Sequence, residues 1–146
     1  MELVIGETQL KCYENGNIER LHKRYNYWRE VKGSNMSGYL MLGIECKGYY
    51  CHRIIYKAFN PEWDLHSPLE IDHINRIKTD NRIENLRLVT PQQNQFNKNA
   101  KGYTRHRNKY QGQIKVNDKR LTKQFATEDE AGAWYLEQKE IHHLID

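Results

Sequence analysis

Cysteine is scarce in this chain, and its pattern argues against the two structural roles that cysteine usually has. The three cysteines, Cys12, Cys46 and Cys51, are odd in number and form no C-x-x-C pair. A disulfide framework and a four-cysteine zinc site are both disfavoured by this pattern. We therefore expect a protein of a reducing compartment and predict a cytoplasmic location.

Long apolar runs are also missing. No run approaches the roughly 18 residues that a membrane-spanning helix needs, and the N-terminus lacks a signal-peptide pattern. Hydrophobic residues make up 38% of the chain and charged residues 29%. The first share is below the usual value for globular domains and the second slightly above it. We expect a soluble protein with two or three small cores rather than one large core.

Charge is abundant, but its two signs are separated along the chain. The net charge is +4, and residues 97–123 carry nine Lys or Arg against one acid. Residues 127–146 carry six acids and one Lys. The basic block is a candidate surface for an anionic partner such as nucleic acid. In residues 22–32, basic residues alternate with aromatics, which suits nucleic acid contact and equally suits a solvated strand.

The N-terminal residues 1–62 are typical of a β-rich unit that ends in a helix. Asn15 and Gly16 lie between the strand-like segments 10–13 and 18–21, and predict a hairpin with a two-residue turn. Hairpin turns of this kind favour positive φ at both positions, which Asn and Gly tolerate.

The second half of this unit predicts a strand over residues 38–45, a turn at 47–48 and a helix over 52–60. Pro61 cannot continue that helix. We interpret His52, on the helix, as a packing or phosphate-contact residue rather than a metal ligand.

Residues 100–146 predict a three-stranded sheet and a helix. The strands are expected at 102–105, 110–116 and 121–125, and Thr127 and Glu130 predict a capping box at the start of the helix. One face of that helix is expected to cover the sheet. The residues predicted for this face are Ala131, Trp134, Gln138 and Ile141.

The other face of the same sheet carries Gln111, Gln113 and Lys115. Amide and basic side chains of this kind hydrogen-bond to phosphates and base edges. The face is therefore suited to a DNA groove, although an ordinary solvated sheet has the same composition.

The central residues 69–97 hold the polar side chains that suit phosphodiester chemistry. Asp72 and His73 end a short apolar run, and Asn85 follows a polar loop. After a second apolar run, Thr90, Pro91 and Gln93 predict a capped helix that carries Asn94.

These residue types can divide the work of a metal-dependent hydrolase. Oxygen ligands from Asp72 and Asn94 suit one Mg²⁺ or Mn²⁺ ion and suit structural zinc poorly. His73 could accept a proton from an attacking water, and Asn85 could hydrogen-bond the loop beside it. The same residues also occur together by chance, since Asn is common in loops.

The order of these residues resembles the HNH (ββα-metal) endonucleases, particularly the phage and intron-encoded homing type. The resemblance implies that His73 is the general base, Asp72 and Asn94 the metal ligands, and Asn85 the asparagine that constrains the loop. It also implies cleavage of DNA to a 5′-phosphate and a 3′-hydroxyl. Asn94 stands where many relatives have His. The segments that carry the resemblance are Asp72-His73, Asn85-Leu86, Val89-Thr90 and Gln93-Asn94-Gln95.

Residues 102–140 are similar to the plant APETALA/ethylene-response-factor domain, in which three strands backed by a helix read the major groove of DNA. Lys123 and Gln124 depart from that pattern, where the domain usually has Gly and a small residue. The predicted DNA contacts are Arg105, Arg107, Gln113 and Lys115 from this unit, with Arg53 and Lys98 from the flanking segments.

Together these features predict a modular α+β protein with units at residues 1–62, 63–99 and 100–146. The predicted activity is that of a Mg²⁺- or Mn²⁺-dependent endonuclease on double-stranded DNA, which nicks one strand per site. A monomer and a dimer both stay open. The alternatives are a non-catalytic DNA-binding regulator with a structural HNH unit, and an RNA-binding module that uses residues 22–32.

Overall fold

The computed structural model describes residues 1–98 and 100–144 and divides into two compact units, Met1–Pro91 and Gln92–Asp146. The predicted α+β class is confirmed, because short antiparallel strands alternate with three α-helices among the described residues. The elements in chain order are β1 (Glu2–Ile5), β2 (Thr8–Cys12), β3 (Ile18–His22), β4 (Tyr27–Glu30), β5 (Ser34–Met36), β6 (Tyr39–Ile44), β7 (Lys47–Tyr50), α1 (Cys51–Phe59), β8 (Glu70–His73), β9 (Leu86–Val89), α2 (Pro91–Phe96), β10 (Tyr103–His106), β11 (Lys109–Val116), β12 (Lys119–Phe125) and α3 (Glu128–His142).

The first unit is built from three small antiparallel sheets and one helix. Strands β1 to β4 form one sheet, β5 to β7 a second, and β8 pairs with β9 in a third. A single apolar core joins them, and Leu10, Ile54 and Ile55 in it are completely buried. Ile71 of β8 and Leu86 of β9 belong to the same core. The polar ends of β8 and β9 are therefore held by the packing of the whole unit.

Two predicted turns in this unit are wrong in detail. The hairpin of β2 and β3 forms, but Cys12 pairs with Ile18 and leaves a five-residue loop in which only Gly16, at φ +88°, has positive φ. The turn between β6 and β7 lies at Glu45 and Cys46, which both have positive φ, whereas the predicted turn residues 47–48 belong to β7. Helix α1 forms close to its predicted bounds.

The second unit contains the sheet β10-β11-β12 and helix α3. The predicted capping box is confirmed, since the Thr127 side chain accepts from the Glu130 backbone N–H and the Glu130 side chain accepts from Thr127. The predicted covering face is partly wrong: Ile141 is 55% exposed, whereas Ala131 and Tyr135 are buried. The Tyr135 ring packs where Gly102 has no side chain, since a Cβ there would lie 1.9 Å from the ring.

The predicted division into residues 1–62, 63–99 and 100–146 stays a prediction. The core of the first unit includes Ile5 and Leu86 together, and the division found by contacts falls after Pro91. Among the residues that the structure describes, no helix is long and apolar enough to cross a membrane.

Candidate active site

The antiparallel pair β8–β9 brings the first two candidate residues to the end of one strand. Asp72 lies opposite Arg87, and His73 lies opposite Leu86. Both polar side chains are buried, Asp72 at 7% exposure and His73 at 4%. Ionisable groups with so little exposure require partners, so their contacts determine what they can do.

Asp72 is held by a charged partner across the hairpin. The Nε and Nη2 atoms of Arg87 donate to Oδ2 of Asp72 at 2.9 and 2.8 Å. Two N–H groups on one carboxylate oxygen fix the direction of the carboxylate. The guanidinium also adds positive charge beside the candidate site.

His73 is oriented by an amide that the sequence reasoning did not single out. Its Nε2 atom lies 2.9 Å from Oδ1 of Asn81, and Asn81 is itself buried at 4% exposure. An amide oxygen can only accept, so this assignment places the proton on Nε2 and makes Nδ1 the basic nitrogen.

Asn85 hydrogen-bonds to the loop that follows His73, and its predicted role in the reaction stays a prediction. Its Nδ2 donates to the backbone oxygen of Asp80 at 2.8 Å and to Oδ1 of Asn75 at 3.0 Å. The backbone N–H of Asn75 donates in return to Oδ1 of Asn85 at 3.0 Å. A further bond joins the Ile74 N–H to the Asn85 carbonyl at 2.9 Å. The loop is therefore closed at both ends by one buried side chain and its backbone.

The β2–β3 loop supports the segment that carries Asn81. The backbone N–H of Ile83 donates to the carbonyl of Glu14 at 2.9 Å. Gly16 lies so close that a Cβ on it would be 2.8 Å from the backbone carbonyl carbon of Asn81. The hairpin that the sequence marked by Asn-Gly is thus also a support for the candidate site.

A cluster of rings packs against His73. His52 of α1 meets it edge-to-face, with ring centroids 5.0 Å apart, and Tyr39 of β6 lies 5.9 Å away. Tyr50 stacks on His52 at 5.5 Å, and the Lys78 ammonium lies 4.6 Å from the Tyr39 ring centre. Burial and the Asp72 charge both raise the pKa of Tyr39, which keeps this phenol protonated.

His52 is expected to make the protein sensitive to acid. Burial, with smaller contributions from His73 and Arg53, lowers the pKa of His52 to about 3. The unfolded chain, with an ordinary His pKa near 6.5, then binds more protons than the folded protein between pH 6.5 and 3. Stability therefore falls as the pH is lowered through that window. The expected loss between pH 7 and pH 4 is about 3 kcal/mol.

Urea unfolding at pH 7 and pH 4 measures this loss, and His52→Gln is the control. The glutamine variant removes this titration and should show a pH dependence that is smaller by about 3 kcal/mol. The Tyr39 and Tyr50 rings that also face His52 do not titrate in this window, and His73, whose ring lies 5.0 Å from His52, is present in both proteins. Equal losses in the two proteins would show that His52 is not the acid-sensitive group.

The remaining residues of the predicted site lie in different places. Asn94 is on α2 and belongs to the second unit, so its pairing with Asp72 stays a prediction. Arg53 donates to the carbonyl of Leu65 at 2.6 Å and its guanidinium lies 4.8 Å from the Trp63 ring centre. Lys98 is exposed after α2. Both of these Arg53 contacts are within the protein, and its role in DNA binding stays a prediction.

The predicted DNA-binding residues of the second unit belong to one sheet but not to one face of it, since Arg105 pairs with Tyr110 and therefore faces away from Gln113 and Lys115. Arg105 is exposed on β10, and Arg107 is exposed in the β10–β11 turn at φ +55°. Gln113 is half-buried on β11, and Lys115 is exposed there, with its Nζ 3.0 Å from Asp118. The predicted alternation of β11 is confirmed, because Gly112 and Ile114 are buried while their neighbours are not.

The donor atoms suit a hard divalent cation. Asp72 offers carboxylate oxygen and Asn94 amide oxygen, which Mg²⁺ and Mn²⁺ accept together with water and phosphate. Among the described residues no group of three or more His, Cys, Asp or Glu side chains forms a metal cluster. That Asp72 and Asn94, which belong to different units, hold one ion together stays a prediction.

Two comparisons with known proteins bear on this site. Residues 49–96, which contain α1, β8, β9 and α2, match the model of a family described as HNH endonuclease. The predicted resemblance to the HNH family is confirmed over this segment. The chain is also 38% identical over 90 residues to an uncharacterized HNH endonuclease of Acanthamoeba polyphaga mimivirus.

The match to that relative is partial. It covers 58% of this chain and 48% of the viral protein, so the chain spans about half the length of the curated relative it matches. No solved structure matches the chain. The similarity of residues 102–140 to the APETALA/ethylene-response-factor domain stays a prediction.

Proposed function

We propose that this protein is a metal-dependent DNA endonuclease of the HNH homing type. It hydrolyses phosphodiester bonds, nicking one strand per site, and leaves a 5′-phosphate and a 3′-hydroxyl. The observation that carries the proposal is that Asp72 and His73, consecutive residues at the end of β8, are both buried. They lie within the segment that matches the HNH family.

His73 acts as the general base in this proposal. Because Asn81 accepts at Nε2, Nδ1 is the nitrogen that takes a proton from the attacking water. A fixed tautomer and ring direction satisfy the first requirement of a general base, which is geometry within hydrogen-bond reach of the proton. The bonds of Asn85 to the loop after His73 keep that ring in place.

Asp72 and Asn94 would hold one Mg²⁺ or Mn²⁺ ion. When bound, such an ion supplies positive charge against the charge that builds on the phosphate and on the leaving 3′ oxygen. Arg87 orients the Asp72 carboxylate through two N–H groups. Charged partners of a ligand in this position tune its direction and basicity.

Double-stranded DNA is the proposed substrate, and the second unit is a proposed part of its binding surface. The exposed side chains of Arg105, Arg107 and Lys115 supply the phosphate contacts that give most of the affinity of DNA-binding proteins. Gln113, two residues from Lys115 on the same face of β11, could reach a base edge. Residues 97–123 carry nine Lys or Arg against one acidic residue, and this positive charge supports a DNA-binding surface here.

A plasmid-nicking assay tests the proposal. The wild-type protein is expected to convert supercoiled plasmid to the open circular form in Mg²⁺ or Mn²⁺, and to stop when EDTA removes the ion. DNA binding measured in EDTA should persist and weaken by about 10³-fold or more between 50 and 200 mM salt, because phosphate contacts release counterions.

The same assay separates the proposal from a non-catalytic DNA-binding regulator. A regulator would bind duplex DNA with the same salt dependence but leave the plasmid supercoiled in every metal. Single-stranded RNA that competes more strongly than duplex DNA would contradict the choice of substrate.

A further inference from the structure

His52 lies beside His73, and the proposed reaction has not yet used it. It occupies the start of α1 at 6% exposure, with its ring centroid 5.0 Å from that of His73. Tyr39 and Tyr50 approach the same ring at 5.3 and 5.5 Å. A histidine in this position either fills space or contacts substrate, and its hydrogen bonding distinguishes the two.

The two nitrogens of His52 have different surroundings. Nδ1 is buried, and no described residue provides it with a hydrogen-bond partner, whereas Nε2 is not among the buried unpartnered atoms. A neutral imidazole has one N–H and one bare nitrogen. Because an unpaired buried N–H is the rarer and costlier arrangement, the bare nitrogen is Nδ1 and the proton is on Nε2.

The ring stays neutral at any ordinary working pH, because burial lowers the pKa of His52 to about 3. A charged imidazolium 5.0 Å from His73 would oppose the proton that His73 has to accept. A neutral N–H donor avoids this repulsion. Nε2–H of His52 is therefore a donor that is compatible with a base beside it.

We propose that Nε2–H of His52 donates a hydrogen bond to a non-bridging oxygen of the phosphate that is cut. This inference rests on the proposed function and adds a catalytic residue to it. As water adds to the phosphorus atom, charge builds on the non-bridging oxygens, and a fixed donor aimed at one of them stabilises that charge. The Tyr39 and Tyr50 rings packed against His52 restrict the rotation of its ring.

Single-turnover cleavage by two variants tests the assignment. His52→Phe keeps a flat ring without a donor and is expected to slow cleavage by about 10²-fold, with the dissociation constant for DNA changed by about 2-fold or less. His52→Gln carries an amide N–H near the position of Nε2 and should restore most of the rate. A residue that only filled space would give the opposite order, since phenylalanine preserves the ring.

A phosphorothioate substrate identifies the oxygen involved. Sulfur at the oxygen that His52 contacts accepts a hydrogen bond poorly, so one diastereomer should be cut slowly by the wild type in both Mg²⁺ and Mn²⁺. That slowing should disappear in His52→Phe. An oxygen that only contacts the metal would instead give a slowing that Mn²⁺ relieves and that the variant retains.

The outcomes that overturn the inference differ from those that overturn the proposed function. A wild type that cuts plasmid, together with a folded His52→Phe that cuts equally fast, overturns the role of His52 alone. Failure of the wild type to cut in either metal overturns both. If phenylalanine prevents folding, His52→Asn replaces it. The asparagine amide lies near the position of Nδ1 rather than Nε2, so this variant should cut about 10²-fold more slowly than His52→Gln.

Discussion

Replacing His73 with alanine is expected to abolish DNA cleavage and to leave DNA binding almost unchanged. General-base catalysis increases a rate by about 10²- to 10⁴-fold. The substitution removes Nδ1 of His73, the basic nitrogen when Nε2 donates its proton to Asn81. Binding depends mainly on phosphate contacts at the basic surface, which this substitution does not alter. Single-turnover cleavage of supercoiled plasmid in Mg²⁺ measures the rate, and a gel-shift titration in EDTA measures binding.

Two further variants make the His73 result specific. His73→Gln preserves volume and polarity but has no basic nitrogen, so it should be as inactive as the alanine variant. His22→Ala removes a histidine that stacks on Tyr25 and Tyr27 in the first unit and should cleave at the wild-type rate. A His73→Ala protein that still cuts at the wild-type rate would show that another group is the base.

Local signals in the sequence predicted the second unit well. The capping box at Thr127 depends on neighbours within a few residues. The buried face of α3 was harder to predict, because the series 131, 134, 138 and 141 and the pair 131 and 135 are both at helical spacing. Tyr135 is buried because its ring packs against Gly102, which is distant in sequence.

The β2–β3 loop shows why a strong local signal can be overridden. Asn15 and Gly16 favour a two-residue turn, yet the chain forms a longer loop whose Gly16 lies against the backbone of Asn81. The bond between Ile83 and Glu14 fixes the same contact. Tertiary packing against a segment about 65 residues further along the sequence gives no periodic or turn signal that could be read from residues 10–21.

The residues of the candidate site also fall into two groups, those that local sequence order predicts and those that only tertiary packing brings together. Asp72, His73 and Asn85 follow one another in a recognisable order within a short stretch. Asn81 and His52 reach His73 only because a loop and helix α1 pack around β8. For Asn81 the sequence offers one weak signal, an amide within the polar loop between the two strands.

Replacing Asn85 with alanine is expected to reduce both stability and cleavage. The side chain makes three hydrogen bonds to the loop between His73 and Asp80 and is 6% exposed. Buried polar groups left without partners cost about 1–3 kcal/mol each, so the free energy of unfolding should fall by about 3 kcal/mol. The loop that holds His73 would loosen, and we expect cleavage about 10²-fold slower, since misplacement of a catalytic group by about 1 Å has such an effect.

The rate has to be measured where both proteins are folded, so that loss of position is separated from loss of structure. Urea unfolding gives the stability, and single-turnover cleavage at a temperature well below the midpoint of unfolding gives the rate. Asn60→Ala is the matched control, because Asn60 makes one side-chain bond to the Tyr56 carbonyl at the end of α1. It should lose about 1 kcal/mol and cut normally. An Asn85→Ala protein that is folded and cuts at the wild-type rate would mean that the loop does not position His73.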